Sequence, residues 1–119
     1  QDSGKTQLGL LPRYPLEPAG LVMGYGADKY GRHNWRSGIS VQRNLDAALR
    51  HILAANARDD IDAESGWPHL AHALCCLMFA LDTIHRLPAF DDRWPPFPRP
   101  FPVPEAPGEN SVERPVDFA

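Results

Sequence analysis

The chain has 119 residues, 13 of them proline, with 43% hydrophobic residues and a formal net charge of −3. That length allows one small domain, and the prolines divide it: nine lie in residues 88–119 and four in the 87 residues before. Residues 1–87 carry nine Lys/Arg against nine Asp/Glu, so the net charge belongs wholly to residues 88–119. A neutral body without a Lys/Arg run lacks the basic patch that holds a phosphate backbone, which argues against a nucleic-acid polymer as partner. No apolar run approaches 18 residues and no h-region opens the chain, so neither a membrane span nor a signal peptide is expected.

In chain order, residues 1–14 are polar and broken by Gly and Pro, and read as an extended arm. A first helix is predicted over about residues 15–30, where Leu16, Gly20, Met23, Ala27 and Tyr30 recur at helical spacing. Gly20, Gly24 and Gly26 weaken it, and glycines placed so mark the close approach of a neighbouring helix or a ligand. Residues 31–38 read as a glycine-bracketed loop. Ser40 is a suitable N-cap for a second helix from Val41 to about Arg58, with an apolar stripe of Val41, Leu45, Ala48, Leu49, Ile52 and Ala55. Arg43, Asp46 and Arg50 lie off that stripe.

Four carboxylates then fall within eight residues, in Asp59-Asp60-Ile61-Asp62-Ala63-Glu64-Ser65-Gly66. A third helix is predicted from Trp67-Pro68, with the proline in its first turn, to about Leu87, carrying the stripe Leu70, Leu74, Leu77, Leu81 and Ile84. Adjacent Cys75 and Cys76 point roughly 100° apart on that helix and cannot readily bridge, which fits buried thiols in a reducing cytoplasm. The proline-dense run Trp94–Pro104 excludes helix and favours polyproline II. It reads either as a solvated tail or as an extended arm pressing its aromatics on a neighbouring subunit. The resulting fold class is all-α: a small bundle of about three helices in residues 1–87, completed by homo-oligomerisation, with residues 88–119 as a Pro/aromatic-rich extended tail. Three helices in about 75 residues make too thin a core to cover both faces of the third.

The polar chemistry concentrates between Arg50 and His72. His69, His72 and Cys76 share one face of the third helix, the acidic loop precedes that face, and His51 comes from the helix before. Histidines and carboxylates so grouped suit a divalent transition metal; N-terminal capping and dipole-compatible solvated charge are the competing readings. A second group joins Tyr25, Lys29 and Tyr30 to His33, Asn34 and Trp35. There Lys29 could neutralise a phosphate and Tyr30 or Trp35 could stack on a base, or the aromatics could simply close the core.

Taken in order, Gly4-Lys5, Leu10-Leu11-Pro12, Gly26-Ala27-Asp28-Lys29-Tyr30-Gly31, Asn34-Trp35, Arg50-His51, Asp62-Ala63-Glu64-Ser65-Gly66 and His69-Leu70-Ala71-His72-Ala73 resemble the phage dATP/dGTP diphosphohydrolase N-terminal family. The resemblance covers about residues 4–87. It implies a relative of the all-α MazG-like pyrophosphatases: an oligomer, in the host cytoplasm if phage-encoded, hydrolysing a deoxypurine dNTP to dNMP and pyrophosphate. It also implies a divalent metal, Mg or Mn, with another transition metal open. Carried onto this sequence, His51, Asp62, Glu64 and His72 are the metal positions, and Glu64 and His69 the catalytic ones. Lys29 and Arg50 would sit near phosphate, and Tyr30, Asn34 and Trp35 near the base or ribose. MazG-like enzymes place acids where this chain has His69 and His72. A non-catalytic protein that sequesters a nucleotide signal would need the same basic and aromatic groups, and is the alternative.

Overall fold

Glycines and caps punctuate the body into three α-helices. The computed structural model describes residues 4–94, with α1 at Leu16–Tyr30, α2 at Val41–Asn56 and α3 at His69–Arg86. Gly31 ends α1 at φ 93°, a conformation open to glycine at little cost. Ser40 caps α2 as expected, its Oγ accepting from the Arg43 N–H at 3.0 Å. Arg58 closes α2 in the left-handed region, at φ 66°. Pro68 stands one position outside the predicted first turn of α3: it is extended, and its carbonyl accepts from the N–H groups of Ala71 and His72. The described residues contain no strand, only an isolated bridge between Ile61 and Pro68.

Helices α2 and α3 run antiparallel. His51, late in α2, meets His69 at the start of α3, while Ser40 before α2 meets Asp92 beyond α3. Helix α1 packs on the other side of α3, through Ala19 and Val22 against Ala71 and Cys75, and the Cys75 thiol donates to the Ala19 carbonyl at 3.3 Å. The buried set is small: Ala19, Val22, Val41, Ala48, Ala71, Ala73, Cys75, Ala80 and Thr83.

This core differs from the predicted stripes. Leu70 is 59% exposed and Leu81 70%, and Leu77, Leu49 and Ile52 are exposed as well. The reason is geometric, because α3 is apolar on nearly every side, and its neighbours approach the arcs carrying alanine, cysteine and threonine. Small side chains let the helices draw close, and the leucines are left on the outside. In α1 the buried face is shifted likewise to Ala19 and Val22, leaving Leu16 and Tyr30 exposed.

Beyond α3 the chain turns back. Pro88–Phe90 forms a 3-10 turn, and the Phe90 ring packs so closely on Gly38 that a Cβ there would lie 2.5 Å from it. Gly38 also has φ 107°, so both its space and its backbone require glycine. Of the expected Pro/aromatic-rich tail of residues 88–119, residues 95–119 lie outside the described residues.

Candidate functional site

A cleft of about 1000 Å³ opens between α1, the 31–40 segment, α2 and α3. Lys29, Tyr30, Asn34, Trp35, Arg50, His51, Asp62, Glu64 and His72 all line it, so the two groups separated in sequence meet in one space. His69 stands behind them, its Nδ1 2.8 Å from that of His51.

The acidic loop is what brings the carboxylates to the imidazoles. Asp62 opens a tight turn in which its carboxylate accepts from the Ser65 N–H at 2.9 Å and its carbonyl from the Gly66 N–H at 2.8 Å. Gly66, at φ 79°, lets the chain reverse, and the Asp62 N–H then donates to the Trp67 carbonyl at 2.9 Å. The turn sets Asp62 Oδ2 3.6 Å from His72 Nε2, while the Ser65 hydroxyl lies 2.6 Å from the same nitrogen. His72 stacks on His51 with centroids 4.7 Å apart, and the edge of Tyr25 meets it at 6.3 Å. On the far side, His69 Nε2 lies 3.6 Å from Asp59.

Burial, and then the neighbouring imidazoles, hold His51 below its ordinary pKa; burial does the same for His72, against the opposing pull of Asp62. Burial pulls the Asp62 carboxyl up, but the Ser65 hydrogen bonds and the flanking histidines outweigh it and keep the group below its usual range. Neutral imidazoles beside an ionised carboxylate are the ligating forms of these groups. One donor atom from each of His51, Asp62 and His69 lies within 4.8 Å of the others, a set that fits a divalent metal. His69, expected as a catalytic group, thus stands in the triad, while His72 is engaged by Ser65.

Glu64 is not part of that set. It accepts from the Lys29 ammonium and from the Tyr25 phenol at 2.8 Å. The Lys29 bond first, and then the Tyr25 bond, hold its carboxyl below the usual range, and Glu64 raises the pKa of Lys29 in turn. Trp35 is also engaged: it stacks on Phe79 at 5.3 Å, with the guanidiniums of Arg36 and Arg86 at 5.3 and 5.6 Å. Tyr30 remains 62% exposed at the cleft edge. Cys75 is a buried free thiol with its pKa pushed up to about 11 by burial; Cys76 is free and half-buried in the cleft wall.

Tyr25 belongs to the second sequence group but carries no role there, and Ser65 and Arg43 are absent from both groups. The seven-residue spacing of Arg43 and Arg50, which puts both on one side of α2, was the available signal for Arg43. Nothing local marked Ser65, whose role depends on the fold of the turn.

These features define a small all-helical domain whose cleft gathers imidazoles, carboxylates and cations. Residues 1–93 match the family described as dATP/dGTP diphosphohydrolase, N-terminal, and the chain belongs to that family. It is similar to a dATP/dGTP diphosphohydrolase of Salmonella phage PMBT28, with 43% identity over 93 residues, covering 77% of this chain and 31% of that protein. The chain therefore spans less than a third of the length of this curated relative. No solved structure matches it significantly.

Proposed function

We propose that the chain is a metal-dependent deoxypurine nucleoside triphosphate pyrophosphohydrolase, converting a dNTP to dNMP and pyrophosphate. The observation carrying this reading is the His51–Asp62–His69 set, of which His51 and Asp62 line a cleft of about 1000 Å³, within a family whose relative bears the diphosphohydrolase name. His51, Asp62 and His69 would hold Mn or another transition ion, which two imidazoles suit better than Mg. A metal there would offset phosphate charge and lower the pKa of a bound water. Among the chain's own groups, His72 is a neutral imidazole aligned by Ser65, suited to accept a proton. Glu64, released from Lys29, would be a second acceptor. Tyr30 and Asn34 at the cleft edge would meet the base or ribose, with Trp35 as a fixed wall. The protein would work in the host cytoplasm as a homo-oligomer, through the leucine faces of α2 and α3.

In the test, purified protein with Mn or Mg releases pyrophosphate from dATP or dGTP, and Asp62→Ala abolishes release with the fold retained by circular dichroism. One observation favours the alternative of a non-catalytic nucleotide-binding protein, namely that Glu64 is tied to Lys29 and Tyr25. Stoichiometric nucleotide binding without turnover under any divalent metal would establish that reading instead.

A further inference from the structure

The cleft's cations are unevenly engaged. Lys29, Arg32, Arg43 and Arg50 line it, against the carboxylates of Asp62 and Glu64. Lys29 is already bound by Glu64 and lies over the rings of Tyr25 and Tyr30, so its charge is largely answered within the protein. Among the described residues, no carboxylate lies within ion-pairing distance of Arg32, Arg43 or Arg50. Three unanswered guanidiniums in one cleft give it a positive potential on a chain whose net charge is −3.

Their arrangement specifies the anion further. Arg43 and Arg50 are seven residues apart on α2, so their stems project from one side of the helix about 10 Å apart along its axis. A single orthophosphate would satisfy one fork and leave the other, whereas a chain of phosphates can engage both bidentately. The wall formed by α1 leaves room for such a chain. A Cβ built at Gly24, Gly26 or Gly31 would meet no atom within 4 Å, and all three glycines border the cleft. Of these, Gly24 and Gly26 mark a close approach in the sequence, and no helix of the described residues fills the space. Arg50 directly precedes His51, so the arginine row ends at the proposed metal set.

We propose that Arg43 and Arg50, assisted by Arg32, form a polyphosphate-binding row along α2, and that Lys29 is not part of it. The assignment rests on the nucleotide reading above, but commits to a ligand chemistry that can be probed without a nucleotide. Titration calorimetry of the full chain, in EDTA, would use sodium tripolyphosphate and orthophosphate. Tripolyphosphate is expected to bind at least about tenfold more tightly than orthophosphate, with Arg43→Ala and Arg50→Ala each losing roughly tenfold. Removing the ion pair as a unit, Lys29→Ala with Glu64→Gln, leaves no unpaired carboxylate in the cleft and should retain the wild-type affinity; Arg43→Lys should recover part of the loss, and thermal melts would verify that each variant is folded. Folded Arg43→Ala and Arg50→Ala proteins that bind as wild type would overturn the proposal. So would a wild type indifferent to tripolyphosphate, or a loss in the Lys29→Ala, Glu64→Gln double variant as large as theirs. If the arginines bind tripolyphosphate and no nucleotide is turned over with any metal, the row stands and the hydrolase reading falls. Turnover with both arginines dispensable gives the reverse.

Discussion

At the scale of single residues, the site is governed by which charges answer one another. Lys29 and Glu64 were both read from sequence as ligand-facing groups, one for phosphate and one for metal. In the folded chain they face each other, with Tyr25 as a second donor to the carboxylate. This pairing has a measurable consequence. Glu64 titrates below its ordinary value because the Lys29 ammonium, and then the Tyr25 phenol, favour the ionised form. Lys29→Ala is expected to move the Glu64 pKa upward, toward the ordinary carboxylate value of about 4.3, as followed by carboxyl-carbon NMR. A Glu64 titration unchanged in that variant would show that the pair does not form in solution. Asp62 is held low by a different set of partners, the Ser65 N–H and hydroxyl and the neighbouring imidazoles. The two carboxylates are two positions apart in sequence, yet they do different work.

At the scale of elements, the ends of α2 carry much of the organisation. Its C-terminal half presents His51 to α3, and its N-terminus is capped twice. Ser40 accepts from the Arg43 N–H, and Asp92, returning from beyond α3, accepts from the Gln42 N–H at 2.9 Å and from the Ser40 hydroxyl. A carboxylate at a helix N-terminus is favoured by the unpaired N–H groups and the helix dipole. The Gln42 N–H, and then the Ser40 hydroxyl, hold Asp92 below the usual carboxylate range. The sign of the linkage follows from that depression. The contribution of Asp92 to stability is fully present above the unfolded carboxyl pKa of about 3.9 and is lost as pH falls through the lower folded value. Denaturant unfolding between pH 6 and 2 should therefore show an acid-side loss that Asp92→Asn reduces. An identical acid limb in that variant would remove the cap from the account. Asp92 and Phe90 also show how the segment after α3 locks to the body, through the α2 cap and through Gly38.

At the scale of the whole molecule, the dominant feature is a core of small side chains beneath an exposed leucine surface. Leu70, Leu77 and Leu81 of α3, with Leu49, Ile52 and Leu53 of α2, are all exposed, and none of the residues in this set is charged. Covering the exposed part of each side chain, about half of it, would contribute on the order of 1 kcal/mol, so a homo-oligomer built on this surface would gain what the single chain's core lacks. Leu77→Asp with Leu81→Asp is expected to shift the protein to monomer in light scattering while leaving its helical circular dichroism intact. A wild-type protein that is monomeric at high concentration, or a double variant that assembles as before, would remove this surface from the oligomer.

The local code was legible where the physics is local. Ser40 had to cap α2 because its side chain answers an orphan N–H three residues on; Gly31 ends α1 for want of a Cβ; the Asp-rich run could not join α2 to α3 as helix. The gathering of histidines and carboxylates between Arg50 and His72 was also visible, since helical spacing and a short connection confine them to one end of a hairpin. Helix packing was not legible in the same way. On a helix apolar all round, periodicity identifies no unique inner face, and the contact went to the small residues that permit close approach rather than to the larger leucines. Nor could spacing decide how the charges pair. Glu64 meets Lys29 across 35 positions, and Tyr25 across 39, only because α1 and the acidic turn converge on one cleft. The neutral charge balance with which the sequence opens is therefore correct and uninformative about the site. Sequence alone determined that the body's charges cancel in sum; the tertiary structure decided which cancel one another, leaving Arg32, Arg43 and Arg50 of the cleft without a carboxylate partner among the described residues, because electrostatic pairing depends on distance in space and not along the chain.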